Sequence, residues 1–287
     1  MATRIAWAAI PILMFSVLAS SAQSQQSGPA KNTSEAVAPA PVHDISGTWM
    51  PANGPKDGIQ VNGVKAMPAD GKPEHTPPFT PYGLKVYQSH KPLAGYTAVQ
   101  TAFNNDPREA CEPVGFPRIM FYNFRETQIM QDSSKVTVLY SYANIWRDIF
   151  FDGREIKPVD GGVTINGDFR ESRWYGYSVG RWVDDTTFVS DVYGTMPDDR
   201  VWLDEAGRPA SDKLHVIEEF HRASPDRLEL TVTIDDPKIY MKPWIAMNKF
   251  PMKLEDSHID VQDMYCSPIE IKKYNTEIGD ASSGITK

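Results

Sequence analysis

The sequence predicts an all-β protein, an antiparallel β-barrel with a long irregular N-terminal loop region and a short C-terminal helix. Two observations carry this prediction. In residues 228–235 every even position is apolar and every odd position is polar, the pattern of a strand with one buried face. No long stretch shows an apolar period of 3.6 residues. A chain of consecutive hairpins favours a barrel or a sandwich.

The first strand is predicted at Gly47-Thr48-Trp49. A glycine here lets the backbone pass close to a neighbour, and the tryptophan plugs the closed end of a barrel. Further strands follow wherever apolar and polar residues alternate, and turn residues such as Asp152-Gly153 separate them. The predicted strands are 125–130, 136–142, 144–151, 175–182, 186–193, 214–220 and 228–235.

Residues 52–113 are rich in Pro and Gly and lack periodicity, but they carry five aromatic side chains. Long irregular segments in compact domains are often functional lids. We therefore expect an ordered loop region laid across the barrel and covering the mouth of a cavity.

Near the C-terminus, Ser267 and Pro268 suit the N-cap and first position of a short helix.

Residues 1–24 predict a secretory signal peptide. A basic start precedes an apolar run at 5–19 and small residues suited to cleavage. This run is shorter than the ~20 residues that a membrane-spanning helix needs. Residues 25–42 have the composition of a disordered lead-in, which leaves a single barrel domain at 43–287. We expect a periplasmic or extracellular protein.

Composition and motifs exclude several functions. The formal net charge of −8 makes nucleic acid and anionic membrane surfaces poor partners. The chain has no phosphate-binding loop, dinucleotide fingerprint, Gly-x-Ser-x-Gly or His-Glu-x-x-His motif. No cofactor and no metal site are predicted. The expected partner is a small apolar or aromatic molecule, and the oligomeric state is left open.

Cys111 and Cys266 are the two cysteines of the chain. Two cysteines in one exported domain usually pair, and neither has the neighbours of a metal or redox motif. We predict a disulfide between them. The chain-entropy model gives about 5 kcal/mol for so long a loop, as an upper figure.

Three residues are candidates for catalysis. Arg147 and Asp148 are adjacent on a strand, so one must face the interior, where a charge has to be paired or used. An inward Arg147 paired with a carboxylate from a neighbouring strand is favoured over a substrate anchor. His215 suits a general base near a barrel rim. Asp235 could move a proton, although Asp235-Asp236-Pro237 more often forms a simple Asx-type turn.

An aromatic-rich set suggests a binding wall. Its members, Trp174, Tyr177, Tyr240 and Trp244, could stack against a flat ligand, or they could simply pack in the core. Three functions stay open. They are an internal small-molecule site shared by Arg147 and this wall, a cofactor-free lyase, hydratase or isomerase on the same scaffold, and a structural envelope protein.

Six segments together resemble a widespread, mostly uncharacterised family of secreted bacterial proteins. The resemblance spans nearly all of residues 43–287 and implies a lipocalin-like barrel without settling an activity. The chain departs from the family pattern at Ala210, where relatives commonly have His after Pro. The segments are CEPVGFPRIM, WRDIFFDGRE, YSVGRWVDDTTFVSDVYG, WLDEAGRPASD, FHRASPDRLELTVTIDDPKIYMKPW and MYCSPIEIKKYN.

Overall fold

The computed structural model describes residues 38–121, 126–197, 199–259, 261 and 265–282. The predicted signal peptide and residues 25–37 of the predicted lead-in lie outside the described residues. The strands are β1 Gly47–Pro51, β2 Thr127–Gln131, β3 Lys135–Tyr140, β4 Ile145–Phe150, β5 Ile156–Val159, β6 Gly162–Ile165, β7 Asp168–Glu171, β8 Tyr177–Trp182, β9 Thr187–Tyr193, β10 His215–Ser224, β11 Arg227–Asp235 and β12 Trp244–Leu254.

Nine of these strands form a closed barrel in the order β1-β12-β11-β10-β9-β8-β4-β3-β2, and β1 pairs with β2 to close it. The predicted closed β-barrel is confirmed. The pairing of β4 with β8 departs from the antiparallel pattern, because these strands run parallel and pair only through Ile149↔Ser178 and Phe150↔Val179. The first residues of β8 therefore lie beside the last residues of β4, and a long connection between the two strands allows the parallel pairing.

Alternation of side chains builds the core. In β11 the residues alternate between buried and partly exposed along almost the whole strand, as the period of two predicts. Strands β3 and β10 follow the same pattern. Their inward residues join one apolar cluster that includes Val138, Val216 and Leu230. The barrel interior is therefore the main hydrophobic core.

The predicted first strand at Gly47-Thr48-Trp49 is confirmed as the start of β1. Gly47 has φ of 141°, and a Cβ there would lie 2.3 Å from the Cδ1 atom of Leu254. Trp49 is fully buried, and its indole Nε1 donates to the carbonyl of Ile45 at 3.0 Å. The guanidinium of Arg222 lies 5.1 Å from the indole ring centre, so a cation–π contact ties β1 to β10.

A second, three-stranded sheet of β5, β6 and β7 was not predicted. It lies between β4 and β8 in the chain, and its outer strand β7 is exposed along its length. Because few of its residues are buried, alternation leaves only a weak signal. The Asn166-Gly167 pair between β6 and β7 is the local signal for this hairpin.

Residues 52–113 pack through two of their five aromatic side chains, Phe79 and Tyr87, and they also contain a helix that was not predicted. Helix α1 spans Pro81–Ser89, with Thr80 as N-cap accepting from the amide of Gly83 at 2.9 Å. Only Gly83 and Tyr87 are buried, so no apolar stripe marked it. Short 3₁₀ turns lie at Pro55–Gly58, Pro73–His75, Thr101–Phe103 and Pro107–Ala110.

The predicted C-terminal helix and disulfide are both confirmed. After the one-turn helix α2 at Arg118–Phe121, the next helix is α3 at Pro268–Tyr274, capped by Ser267. A π-helical turn at Asn275–Gly279 and the short α4 at Asp280–Ser282 follow. Cys111 and Cys266 are bonded, with their Cα atoms 5.7 Å apart. None of the helices in the described part of the chain is long and apolar enough to cross a membrane.

Candidate functional site

The short parallel ladder leaves one side of β4 open. Only Ile149 and Phe150 pair with β8, so the first four residues of β4 have a strand partner only on the β3 side. The connection from β7 to β8 flanks this open side. We call the resulting depression of about 410 Å³ the seam cleft. It is lined by Trp146, Arg147, Asp148, Phe150, Arg173, Trp174 and Tyr175.

Backbone contacts hold the connection in place. The amide of Phe116 donates to the carbonyl of Trp174 at 2.9 Å, and the amide of Arg173 donates to the carbonyl of Gly194 at 3.0 Å. The 173–175 wall of the cleft is thus tied both to the segment before α2 and to the end of β9. Such ties pre-organise a binding wall.

Aromatic rings supply much of the cleft surface. The Trp146 side chain points outward from β4 and is 65% exposed, which is unusual for so large an apolar group. Trp174 lies under the guanidinium of Arg200, which is 4.7 Å from the ring centre. Burial raises the pKa of Tyr175 to about 12, so its phenol stays protonated at neutral pH. The rings offer flat apolar surface next to polar groups.

Arg147 lies at the boundary between the cleft and the barrel interior, and its side chain is held inside. It donates to Glu218 Oε1 at 2.6 Å, to the Tyr140 hydroxyl at 3.0 Å and to Ser178 Oγ at 2.9 Å. Its guanidinium also lies 4.2 Å from the ring centre of Phe116. Burial would lower the pKa of Arg147, but the adjacent Glu218 carboxylate raises it above its ordinary value.

The expected ion pair of Arg147 is therefore present, but its partner is not on an adjacent strand. Glu218 comes from β10, which is separated from β4 by β8 and β9 in the barrel order. The pair crosses the interior. Within the described residues, Arg147 Nε, Glu218 Oε2 and Ser190 Oγ are buried without a hydrogen-bond partner. The network is thus polar but incompletely satisfied.

His215 and Asp235 lie on the outer face of the barrel, facing each other across the β10–β11 ladder. His215 Nε2 is 2.8 Å from Asp191 Oδ1, and its ring stacks on Tyr193 at 4.3 Å. Burial would raise the pKa of Asp191, but hydrogen bonds from His215 and Arg181 lower it overall. In β10 the even-numbered residues, including Glu218, face inward, whereas His215 faces outward. Because Arg147 contacts Glu218 inside the barrel, His215 and Arg147 are on opposite sides of the barrel wall.

The predicted Asx-type turn is formed by Asp236, the residue before Pro237. Asp236 is fully buried and accepts from the amides of Lys238 and Ile239 at 3.2 and 3.3 Å. It also binds the amide and hydroxyl of Ser211. Burial raises the pKa of Asp236 despite these hydrogen bonds.

The predicted aromatic wall is divided between two places. Trp174 lines the seam cleft, and Tyr177 lies beside it under Arg173. Tyr240 and Trp244 pack edge to face at 5.4 Å in a second aromatic cluster, which is part of the main hydrophobic core and has the partly buried Phe79 packed against it. The Tyr240 hydroxyl donates to the carbonyl of Pro209 at 2.8 Å, and burial raises its pKa well above 10. Residues 52–113 pack on this second cluster and supply no residue of the cleft lining.

A buried charged segment escaped the sequence prediction. Every residue of 201–211 is buried although the segment has no regular structure. Within it, Asp204 pairs with Arg208 at 2.7 Å and Glu205 pairs with Arg118 at 2.7 Å. Arg118 also forms an ion pair with Asp106 at 2.6 Å. No periodicity marks such a segment, because it has no regular structure, and its charges are neutralised by ion pairs within the segment and with Arg118.

Within the described residues, no group of three or more His, Cys, Asp or Glu residues is arranged to hold a metal ion. The geometry defines a closed β-barrel protein with an aromatic cleft at one seam.

No family model matches the chain, and comparisons with curated proteins and with solved structures find no match either. The resemblance to secreted bacterial proteins stays a prediction, and its departure at Ala210 falls within the buried 201–211 segment.

Proposed function

We propose that this protein binds a small aromatic molecule in the seam cleft. The observation that carries the proposal is the combination of an open barrel seam with Trp146, Trp174 and Tyr175 around one depression of about 410 Å³. This volume is within the range of small-molecule sites, roughly 300–1,000 Å³. A largely exposed Trp146 loses solvent contact when a flat ligand stacks on it, which favours binding.

The enzyme alternative has less support from the geometry. Acid–base catalysis needs at least two titratable groups that reach one point. Arg147 faces the interior, whereas His215 and Asp235 are on the outer face and line no part of the cleft. The three predicted catalytic residues therefore do not form one site, and binding alone is the function that we propose.

Export is the second part of the proposal. Residues 1–24 have the composition of a signal peptide, and the Cys111–Cys266 disulfide suits an oxidising compartment such as the periplasm. Intact-mass measurement of the protein recovered from that compartment should give a chain that begins close to residue 25. A full-length chain recovered only from the cytoplasm would contradict export.

The binding proposal is tested with an uncharged probe, 2-naphthamide, by isothermal titration calorimetry. Trp146→Ala and Trp174→Ala should each weaken binding about three- to tenfold, the range expected for one lost aromatic stacking contact. Phe169→Ala is the matched control, since Phe169 is an exposed aromatic residue of β7 outside the cleft lining. Melting curves establish that each variant is folded. Equal naphthamide binding by all four proteins would reject the proposal.

A further inference from the structure

The charged residues around the seam cleft differ in whether they have an oppositely charged partner within the protein. Asp148 accepts from Thr137 Oγ1 at 2.5 Å and from Lys135 Nζ at 3.1 Å. Arg147 is paired with Glu218. Both of these charges are therefore already matched by partners within the protein.

Arg173 is the exception among the charged residues of the cleft. Its Nε donates to the carbonyl of Gly176 at 2.6 Å, and its guanidinium stacks on Tyr177, 4.0 Å from the ring centre. These contacts fix the orientation of the guanidinium plane. Within the described residues, no carboxylate lies within salt-bridge distance of Arg173, and its two Nη groups have no hydrogen-bond partner.

Position and surroundings make this guanidinium available to a ligand. Arg173 is exposed to solvent at the cleft, while Arg147 is held inside the wall. Partial burial lowers the pKa of Arg173, while the nearby Tyr177 and Asp148 act in the opposite direction. An arginine is still fully charged at neutral pH after such a shift.

We propose that the ligand of the seam cleft is an aromatic carboxylate, with its ring against Trp146 and Trp174 and its carboxylate on the Nη groups of Arg173. This inference rests on the proposed function. A planar guanidinium with two free Nη groups matches the two oxygens of a carboxylate. A single negative charge suits the cleft better than the double charge of a phosphate ester, because Asp148 also lines it.

The test compares three probes of similar shape, 2-naphthoate, 2-naphthamide and 2-naphthyl phosphate, by isothermal titration calorimetry. The wild-type protein should bind naphthoate at least about tenfold more tightly than naphthamide, and more tightly than the phosphate. Arg173→Gln should bring naphthoate affinity to within about twofold of the naphthamide affinity of the same variant. Arg173→Lys keeps the charge without the planar fork and should retain part of the preference.

Arg170→Gln is the matched control. It removes the same charge from an exposed arginine of β7 that lines a different surface depression, so the preference for naphthoate should persist. Equal wild-type affinity for naphthoate and naphthamide would overturn the carboxylate inference and leave the proposed binding function standing. Retention of the preference in Arg173→Gln would also overturn it. Failure of every probe to bind would reject both proposals.

Discussion

At the scale of single residues, the barrel interior contains a buried ion pair between Arg147 and Glu218. Arg147 is 2% exposed and Glu218 is fully buried, so almost no solvent contacts either side chain to stabilise its charge. A buried pair of this kind gains from mutual attraction what it loses in hydration, and its net effect on stability is small. Removing one partner has a much larger effect, because the other charge then stays buried alone.

We expect Arg147→Ala to lower the free energy of unfolding by about 3–5 kcal/mol, measured by urea denaturation. The double variant Arg147→Met/Glu218→Leu removes both charges and should recover most of that loss. The control, Arg181→Ala, breaks an exposed pair with Asp191 and should cost about 1 kcal/mol or less. If Arg147→Ala unfolds at the wild-type urea concentration, the ion pair has no structural role.

At the scale of elements, loops and helices are fixed by close contacts with the barrel strands. Helix α1 packs on the β11–β12 connection, where Thr80 binds the backbone carbonyls of Lys238 and Ile239. Gly83 is buried at this contact, and a Cβ there would lie 2.1 Å from the carbonyl oxygen of Ile239. The glycine lets the helix backbone approach its neighbour.

The substitution Gly83→Ala tests this contact because two effects oppose each other. Alanine favours a helix over glycine by about 1 kcal/mol. The added methyl group meets rigid backbone, and overpacking of this kind costs about 1–3 kcal/mol. We expect a lower melting temperature than wild type. Ser89→Ala, at an exposed position of the same helix, should leave it nearly unchanged or slightly raised. A stabilised Gly83→Ala protein would show that α1 does not pack as described.

At the scale of the whole molecule, the barrel is closed by hydrogen bonds, and a disulfide links two segments that are far apart in the chain. The Cys111–Cys266 disulfide joins residues 155 positions apart in the chain. Cys111 directly follows the 3₁₀ turn at Pro107–Ala110, and Cys266 directly precedes Ser267, the N-cap of α3. The C-terminal helix is therefore attached to the N-terminal loop region and not to a barrel strand.

We expect the Cys111→Ser/Cys266→Ser protein to lose about 2–5 kcal/mol of stability in guanidinium chloride denaturation. Because the barrel strands pair without this link, the variant should keep its β-rich circular dichroism spectrum. Amide hydrogen exchange should accelerate in α3 before it does in β10 and β11. Faster exchange throughout the barrel strands would instead show that the disulfide holds the barrel closed.

The sequence by itself determined the features that depend on neighbouring residues. Alternation in β3, β10 and β11 predicted which side chains face inward, and Gly47 and Trp49 predicted the first strand. Ser267 and Pro268 predicted the start of α3. Such signals are readable because the period of a strand and the chemistry of a cap are local properties. The disulfide was also predictable, because only one pairing of two cysteines exists.

Only the tertiary structure decided which distant groups meet. Alternation required that either Arg147 or Asp148 face inward, but barrel closure brought Glu218 opposite Arg147 from a strand that is not its neighbour. Closure also put Trp174 at the seam and Trp244 in another cluster, and it buried the charged 201–211 segment. The seam cleft exists because β4 and β8 pair through two residues each. Strand order and register are set by the packing of the whole core, and a local pattern cannot encode them.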